Sequence, residues 1–160
     1  MIFTIGYDTK GFTTADLTAI LDQVNATLID VREKPCAGSK AWGSNQLRTA
    51  LGGSRYLNWK DLGFGAVRPD GLEWLKRRFY HLGGPHCILL GKEENPSACH
   101  RHQKICADRF PDAMHIFKSR LFSAEAWDNF IKRGVDPESF PISELPQFVE
   151  NCENFEESAA

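Results

Sequence analysis

The chain has 160 residues, of which 42% are hydrophobic and 25% charged, and its formal net charge at pH 7 is −2. These values are typical of a soluble globular protein with one core. No apolar run reaches the length of about 18 residues that a transmembrane helix needs, and the N-terminal residues lack the features of a secretory signal. We therefore expect a cytoplasmic protein that does not contact a membrane.

Five short apolar runs predict β-strands, because each is rich in β-branched or aromatic residues. In chain order they are Ile2–Ile5, Thr27–Val31, Arg55–Asn58, Cys87–Leu90 and Ala113–Phe117. Between and after them lie segments with helical periodicity: Phe12–Val24, Ser44–Leu51, a segment from Asp70 to before Gly83, Ala98–Phe110 and Ala124–Lys132. This alternation predicts a single α/β domain, with a mostly parallel central sheet of about five strands and helices on both faces.

The C-terminal residues 134–160 differ from the rest of the chain in charge and in proline content. They contain seven acidic residues and no lysine or arginine, so residues 1–133 carry all 19 basic and 14 of the 21 acidic side chains. Pro137, Pro141 and Pro146 argue against long helices here. We predict an α/β domain over residues 1–133, followed by an extended acidic arm over 134–160 that is packed on the domain or frayed from it. The basic domain suits an anionic ligand.

The five cysteines are odd in number and irregularly spaced, and no C-x-x-C pair occurs. In a reducing compartment, such cysteines are expected to be free thiols. A zinc ribbon therefore has no support, and we predict no metal site.

Three loops are expected to carry the chemistry, because ligands of open parallel α/β sheets bind outside the carboxyl ends of the strands. The first loop spans Gly6–Lys10 and includes Tyr7. The second spans Asp30–Pro35, and the third spans Gly91–Arg101. If the sheet forms as predicted, these three loops converge.

The segment Cys99-His100-Arg101 stands at the predicted start of a helix, where unpaired N–H groups favour an anion or a thiolate. Such surroundings lower the pKa of a cysteine, so Cys99 is a candidate nucleophile; the alternative is a buried structural cysteine. His100 is a candidate general acid or base, or else a hydrogen-bonded surface residue. Arg101 is a candidate clamp for a phosphate or carboxylate, or else it forms a salt bridge with Glu93, Glu94 or Asp30.

Asp30 and Arg32 leave the second predicted strand on the same face, because side chains alternate along a strand. They are expected to form an ion pair that supports the site, or else to contact a substrate directly. Trp42 lies in the small, polar loop Cys36–Ser44, of a kind that often covers a pocket. Its indole stacks on a base or ring of a ligand, or else it packs into the core.

A set of short motifs follows in order along roughly residues 1–117. They are Thr4-Ile5-Gly6 with Phe12, Leu28-Ile29-Asp30-Val31-Arg32 with Pro35, Tyr56-Leu57 leading to Leu62-Gly63, Leu89–Glu93 through Pro96 to Cys99-His100-Arg101, and His115-Ile116. Together they resemble the bacterial and phage family called domain of unknown function 488. The chain departs from that family at two positions, since Tyr7 replaces a usual histidine and Gly91 replaces a usual second cysteine.

The resemblance implies an α/β domain with a site around six residues, and it implies no particular reaction or cofactor. These residues are Asp30, Arg32, Glu93, Cys99, His100 and Arg101. Our leading hypothesis is an enzyme-like domain that binds an anionic ligand, a nucleotide or a nucleic-acid component. In this hypothesis Arg32 and Arg101 bind the anion, with Tyr7 lining the site. Cys99 or His100 is the reactive group, and Asp30 and Glu93 are orienting carboxylates.

Two other functions stay open from the sequence. One is a nucleic-acid-binding or regulatory module without turnover, which contacts nucleic acid through the basic domain. The other is a protein-interaction role for the acidic arm.

Overall fold

A computed structural model describes residues 1–35, 40–63, 67–80, 85–107, 109–135 and 138–159. The strands of these residues are β1 (Ile2–Gly6), β2 (Ala26–Asp30), β3 (Tyr56–Asn58), β4 (His86–Gly91), β5 (Met114–Phe117), β6 (Arg120–Ser123) and β7 (Ser139–Pro141). The α-helices are α1 (Thr14–Gln23), α2 (Ser44–Leu51), α3 (Pro69–Phe79), α4 (Ala124–Arg133) and α5 (Leu145–Ala159). Within this part of the chain, no helix combines the length and the apolar character that crossing a bilayer requires.

The strands form one mixed sheet in the order β3-β2-β4-β1-β5-β6-β7. The five strands from β3 to β5 are parallel to their neighbours, whereas β6 pairs antiparallel with both β5 and β7. The protein is therefore α/β, as the sequence predicts, and the five predicted strands are its parallel part.

The prediction of about five strands is two strands short, because β6 and β7 extend the sheet. A two-residue hairpin joins β5 to β6, with Lys118 at φ 49° and Ser119 at φ 60°. Two positive φ values match the turn that the twist of a hairpin favours, but Asn and Gly are its usual residues. The short β7 ends in Pro141, which is tolerated at the edge of a sheet. Neither strand therefore carries a strong sequence signal.

The C-terminal residues do not form the predicted extended arm. They contribute β7 to the sheet and then form α5, whose second residue is Pro146. Proline is compatible with the first turn of a helix, where its missing N–H has no partner to lose. Leu145 and Val149 are buried against the core, and Phe148 contacts Phe140 of β7 with ring centroids 5.0 Å apart. The apolar residues of this segment therefore form a helical face.

Apolar side chains cover both faces of the sheet. On one face, strand residues such as Phe3, Ile5 and Leu90 pack with α1, α2 and α5. On the other, residues such as Ile29 and Leu89 pack with α3 and the segment after β4. This layering buries the parallel strands on both sides and leaves their carboxyl ends at one edge of the molecule.

The segment predicted as a helix over Ala98–Phe110 is not α-helical. A 3₁₀ turn spans Pro96–Ala98, and a π-helical turn spans Arg101–Cys106 and is closed by the bond from Ala107 N–H to the His102 carbonyl at 2.8 Å. Such turns are uncommon and often occur at functional sites. Arg101, His102 and Cys106 of this turn are buried in the protein interior.

Candidate functional site

A cavity of about 400 Å³ lies at the carboxyl ends of β1, β2 and β4. The connection after β1 leads to α1 on one face of the sheet, and the connection after β4 leads to the π-helical turn on the other. Ligands of open α/β sheets bind where the connections diverge in this way. The cavity is lined by Tyr7, Arg32, Glu33, Lys34, Gly91, Lys92, Glu93, Ala98, Cys99 and His100.

The three loops converge at this cavity, as the sequence predicts. The Tyr7 N–H donates to the Gly91 carbonyl at 3.3 Å, and the Asp8 N–H donates to the Lys92 carbonyl at 2.9 Å. Gly6 lies directly under the third loop, because a Cβ at this position would be 1.8 Å from the Glu93 carbonyl oxygen. Only glycine permits this close approach of two backbone segments.

Asp30 and Arg32 form the ion pair that the alternation of β2 predicts. Arg32 Nε donates to Asp30 Oδ1 at 2.8 Å, and Arg32 Nη2 donates to Asp30 Oδ2 at 2.6 Å. Burial alone would lower the pKa of Arg32, but the hydrogen bond and charge of Asp30 outweigh burial and raise it. Asp30 also accepts from the Tyr56 hydroxyl at 2.6 Å. The remaining nitrogen, Arg32 Nη1, is buried without a hydrogen-bond partner.

Tyr7 and Trp42 support Arg32 from the side of the core. The Tyr7 ring stacks on Trp42 with centroids 5.1 Å apart, and the Arg32 guanidinium lies 5.1 Å from the Tyr7 centroid. Trp42 also stacks on Phe12 at 5.6 Å and is buried. Trp42 is thus a core residue here and not a platform for a ligand. Residues 36–39 of its predicted loop lie outside the described residues.

Arg101 is fully buried and forms none of the predicted salt bridges to Glu93, Glu94 or Asp30 within the described residues. Its Nη2 donates instead to the Glu94 carbonyl oxygen at 3.0 Å, and its Nε donates to Thr4 Oγ1 at 3.3 Å. Its Nη1 is buried without a partner and lies 2.6 Å from the position that a Cβ at Gly91 would take. Arg101 is not among the residues that line the cavity, so this third nitrogen lies behind the part of the wall that Gly91 and Cys99 form.

The prediction of a lowered pKa for Cys99 is wrong. Cys99 is 2% exposed, and this burial raises the pKa of its thiol, although the charge and the N–H groups of Arg101 oppose the effect. The expected α-helix N-terminus is absent, which removes the other source of thiolate stabilisation. A buried thiol with a raised pKa is a poor nucleophile at neutral pH. Cys99 forms part of the wall of the cavity.

His100 is buried, and each of its ring nitrogens lies close to another polar group. Its Nε2 lies 2.9 Å from the Leu62 carbonyl oxygen, and its Nδ1 lies 3.8 Å from Cys99 Sγ. Burial lowers the pKa of His100, so the ring is neutral near pH 7. A carbonyl can only accept, so Nε2 carries a proton that it donates to Leu62.

Glu93 lines the cavity and is half-buried. Its negative charge contributes to the raised pKa of Cys99 and opposes the lowering of the pKa of His100. Among the described residues, no group of three or more His, Cys, Asp or Glu side chains is arranged to bind a metal ion. The cysteines described there, Cys87, Cys99, Cys106 and Cys152, are free thiols.

The sequence interpretation missed Thr4, Tyr56, His102 and His115. Thr4 and His115 are polar residues in strands that are otherwise apolar, which is a usable signal for a buried polar contact. Tyr56 pairs with Leu28 across β2 and β3, and only that register shows its hydroxyl reaching Asp30. Comparison of the chain with models of protein families, with curated proteins and with solved structures found no match to any of them.

Proposed function

We propose that the protein binds a phosphate-bearing small molecule, a nucleotide or a nucleic-acid component, in the cavity at the carboxyl ends of β1, β2 and β4. The supporting observation is the pair of buried guanidinium groups beside this cavity, each with one nitrogen that has no hydrogen-bond partner. An unsatisfied buried donor of a charged group is costly, and an anionic oxygen is the acceptor that removes this cost.

The two arginines supply different parts of the interaction. The charge of Arg32 is neutralised by Asp30, so Arg32 offers a directed hydrogen bond more than a net charge. Arg101 has no carboxylate partner within the described residues, so it offers both a directed hydrogen bond and a net positive charge. Lys34 and Lys92 are exposed at the opening of the cavity, where they add positive potential.

A small molecule is the ligand that the size of the site favours. A cavity of about 400 Å³ is within the range of small-molecule sites. Oxygens of a phosphate suit guanidinium donors, because the two form charge-assisted, geometrically specific hydrogen bonds.

Calorimetric titration of a small ligand panel tests this function. We expect AMP, GMP, CMP or UMP to bind, and the matching nucleoside without phosphate to bind at least about tenfold more weakly, because the phosphate meets the two free donors. Inorganic phosphate is included to separate the contribution of the phosphate from that of the nucleoside. Equal affinity for AMP and adenosine, or no binding of any phosphate, would contradict the proposal.

A single-stranded oligonucleotide in the same titrations tests the nucleic-acid-binding alternative. An oligonucleotide that binds through several phosphates loses affinity steeply as the salt concentration rises. The logarithm of the binding constant falls with the logarithm of the salt concentration, with a slope of about −0.7 for each phosphate neutralised. For a mononucleotide bound in the cavity, we expect the salt dependence of the binding constant to be close to that of a single phosphate. Tight, steeply salt-dependent binding of the oligonucleotide alone would favour the alternative.

A further inference from the structure

A chain of buried polar side chains connects Arg101 to helix α4. Arg101 Nε lies 3.3 Å from Thr4 Oγ1, and Thr4 Oγ1 lies 2.6 Å from His115 Nδ1. His115 Nε2 lies 2.9 Å from His102 Nδ1, and His102 Nε2 lies 4.0 Å from Asp128 Oδ1. Arg101, Thr4, His115 and His102 are at most 2% exposed. Such a buried polar network forms only where its members satisfy one another.

Arg101 fixes the direction of the first hydrogen bond in this chain. A guanidinium can only donate, so Thr4 Oγ1 accepts from Arg101, and its own proton can then be donated to His115 Nδ1. In that pattern His115 carries its proton on Nε2 and donates to His102 Nδ1. Burial, together with the charge of Arg101, sets the pKa of His115 well below its usual value, so the ring is neutral at pH 7. This protonation pattern gives each of the three contacts one donor and one acceptor.

The sheet places Thr4 and His115 side by side. Thr4 of β1 and His115 of β5 are register partners, so their side chains lie on the same face. The π-helical turn brings Arg101 and His102 to this same face, one on either side of the pair. The Arg101 guanidinium is thus bound at Nε by Thr4 and at Nη2 by the Glu94 carbonyl, which leaves Nη1 beside Gly91 and Cys99.

We infer that Thr4 and His115 are positioning residues, which orient Arg101 so that its Nη1 meets the anion in the cavity. This assignment rests on the proposed function. Without the Thr4 acceptor, Nε loses its partner and the guanidinium is free to rotate away from the cavity. Ligand affinity then decreases, because a donor that is already oriented contributes more to binding than one that the ligand has to order.

The direction of the hydrogen bonds from Arg101 to His102 is testable in the ligand-free protein by ¹⁵N NMR. We expect His115 to be protonated at Nε2 and unprotonated at Nδ1, and the Arg101 Nε–H to give a protected signal. Thr4→Val should abolish that protection, whereas Thr4→Ser, which keeps the hydroxyl, should retain it. An Arg101 Nε–H signal that is equally protected in the wild type and in Thr4→Val would overturn the assignment.

The effect on binding is measured by titrating AMP into the same variants. We expect Thr4→Val to weaken AMP binding about tenfold and Thr4→Ser to stay within about threefold of wild type. Thr18→Val, the same change on α1, is the matched control and should have no effect. If Thr4→Val folds and binds AMP like the wild type, the assignment is overturned and the proposed function stands. If the wild type binds no phosphate, both are overturned.

Discussion

Asp30→Asn is expected to lower the free energy of unfolding by about 3–5 kcal/mol, the usual cost of removing one partner of a buried ion pair. Asp30 is fully buried and accepts hydrogen bonds from Arg32 and from Tyr56. Its neutralisation leaves the Arg32 charge in the interior without a counter-ion. Chemical denaturation of both proteins, monitored by circular dichroism, measures the difference.

Two further variants test whether the loss of stability comes from the buried ion pair. Asp22→Asn is the matched control, because Asp22 pairs with Arg55 at 2.6 Å on the surface and its loss should cost less than about 1 kcal/mol. The double variant Asp30→Asn with Arg32→Met removes the stranded charge and should recover part of the lost stability. Equal effects of Asp30→Asn and Asp22→Asn would contradict a structural role for the buried pair.

Arg101→Gln is expected to weaken binding of AMP about 30-fold or more. Loss of one partner from a desolvated charged contact costs at least about 2 kcal/mol of binding free energy, which is a factor of about 30. Arg133→Gln is the matched control, because Arg133 is exposed at the end of α4. Calorimetric titration of AMP into the three proteins measures the affinities, and thermal melts show that each is folded under the conditions used.

Gly91→Ala separates the loss of ligand contact from the loss of Arg101 itself. The added methyl group would lie 2.6 Å from Arg101 Nη1 and 2.8 Å from Cys99 Sγ, so it crowds the proposed anion position while the charge remains. We expect about tenfold weaker binding of AMP with a stability loss of about 1–3 kcal/mol from overpacking. If Arg101→Gln and Gly91→Ala both fold and bind AMP as tightly as Arg133→Gln, Arg101 is not part of the site.

The parallel part of the sheet was predictable because its strands are continuous apolar runs, buried on both faces. Such runs, separated by helical segments, leave few topologies with short, right-handed connections. That topology is also why the loops after β1, β2 and β4 could be assigned to one site. The antiparallel strands were not predictable, because Lys118 and Ser119 adopt a turn for which they have little intrinsic preference.

The chemistry of Cys99 could not be predicted, because it depends on burial and on the local helix geometry. The sequence places basic groups beside Cys99, which favours a thiolate, but the structure buries the thiol and replaces the α-helix by 3₁₀ and π-helical turns. The sequence also could not show that Thr4 is the hydrogen-bond acceptor for Arg101 Nε, since the two residues are 97 positions apart in the chain. Such contacts exist only once β1, β4 and β5 are assembled.

A crystal structure of the protein with bound AMP tests the central claim most directly. The proposed function predicts a phosphate in the cavity at the carboxyl ends of β1, β2 and β4, with one of its oxygens within hydrogen-bond distance, about 3.2 Å, of Arg32 Nη1 and one within that distance of Arg101 Nη1. A phosphate bound elsewhere on the protein, with both nitrogens still unpartnered, would contradict it.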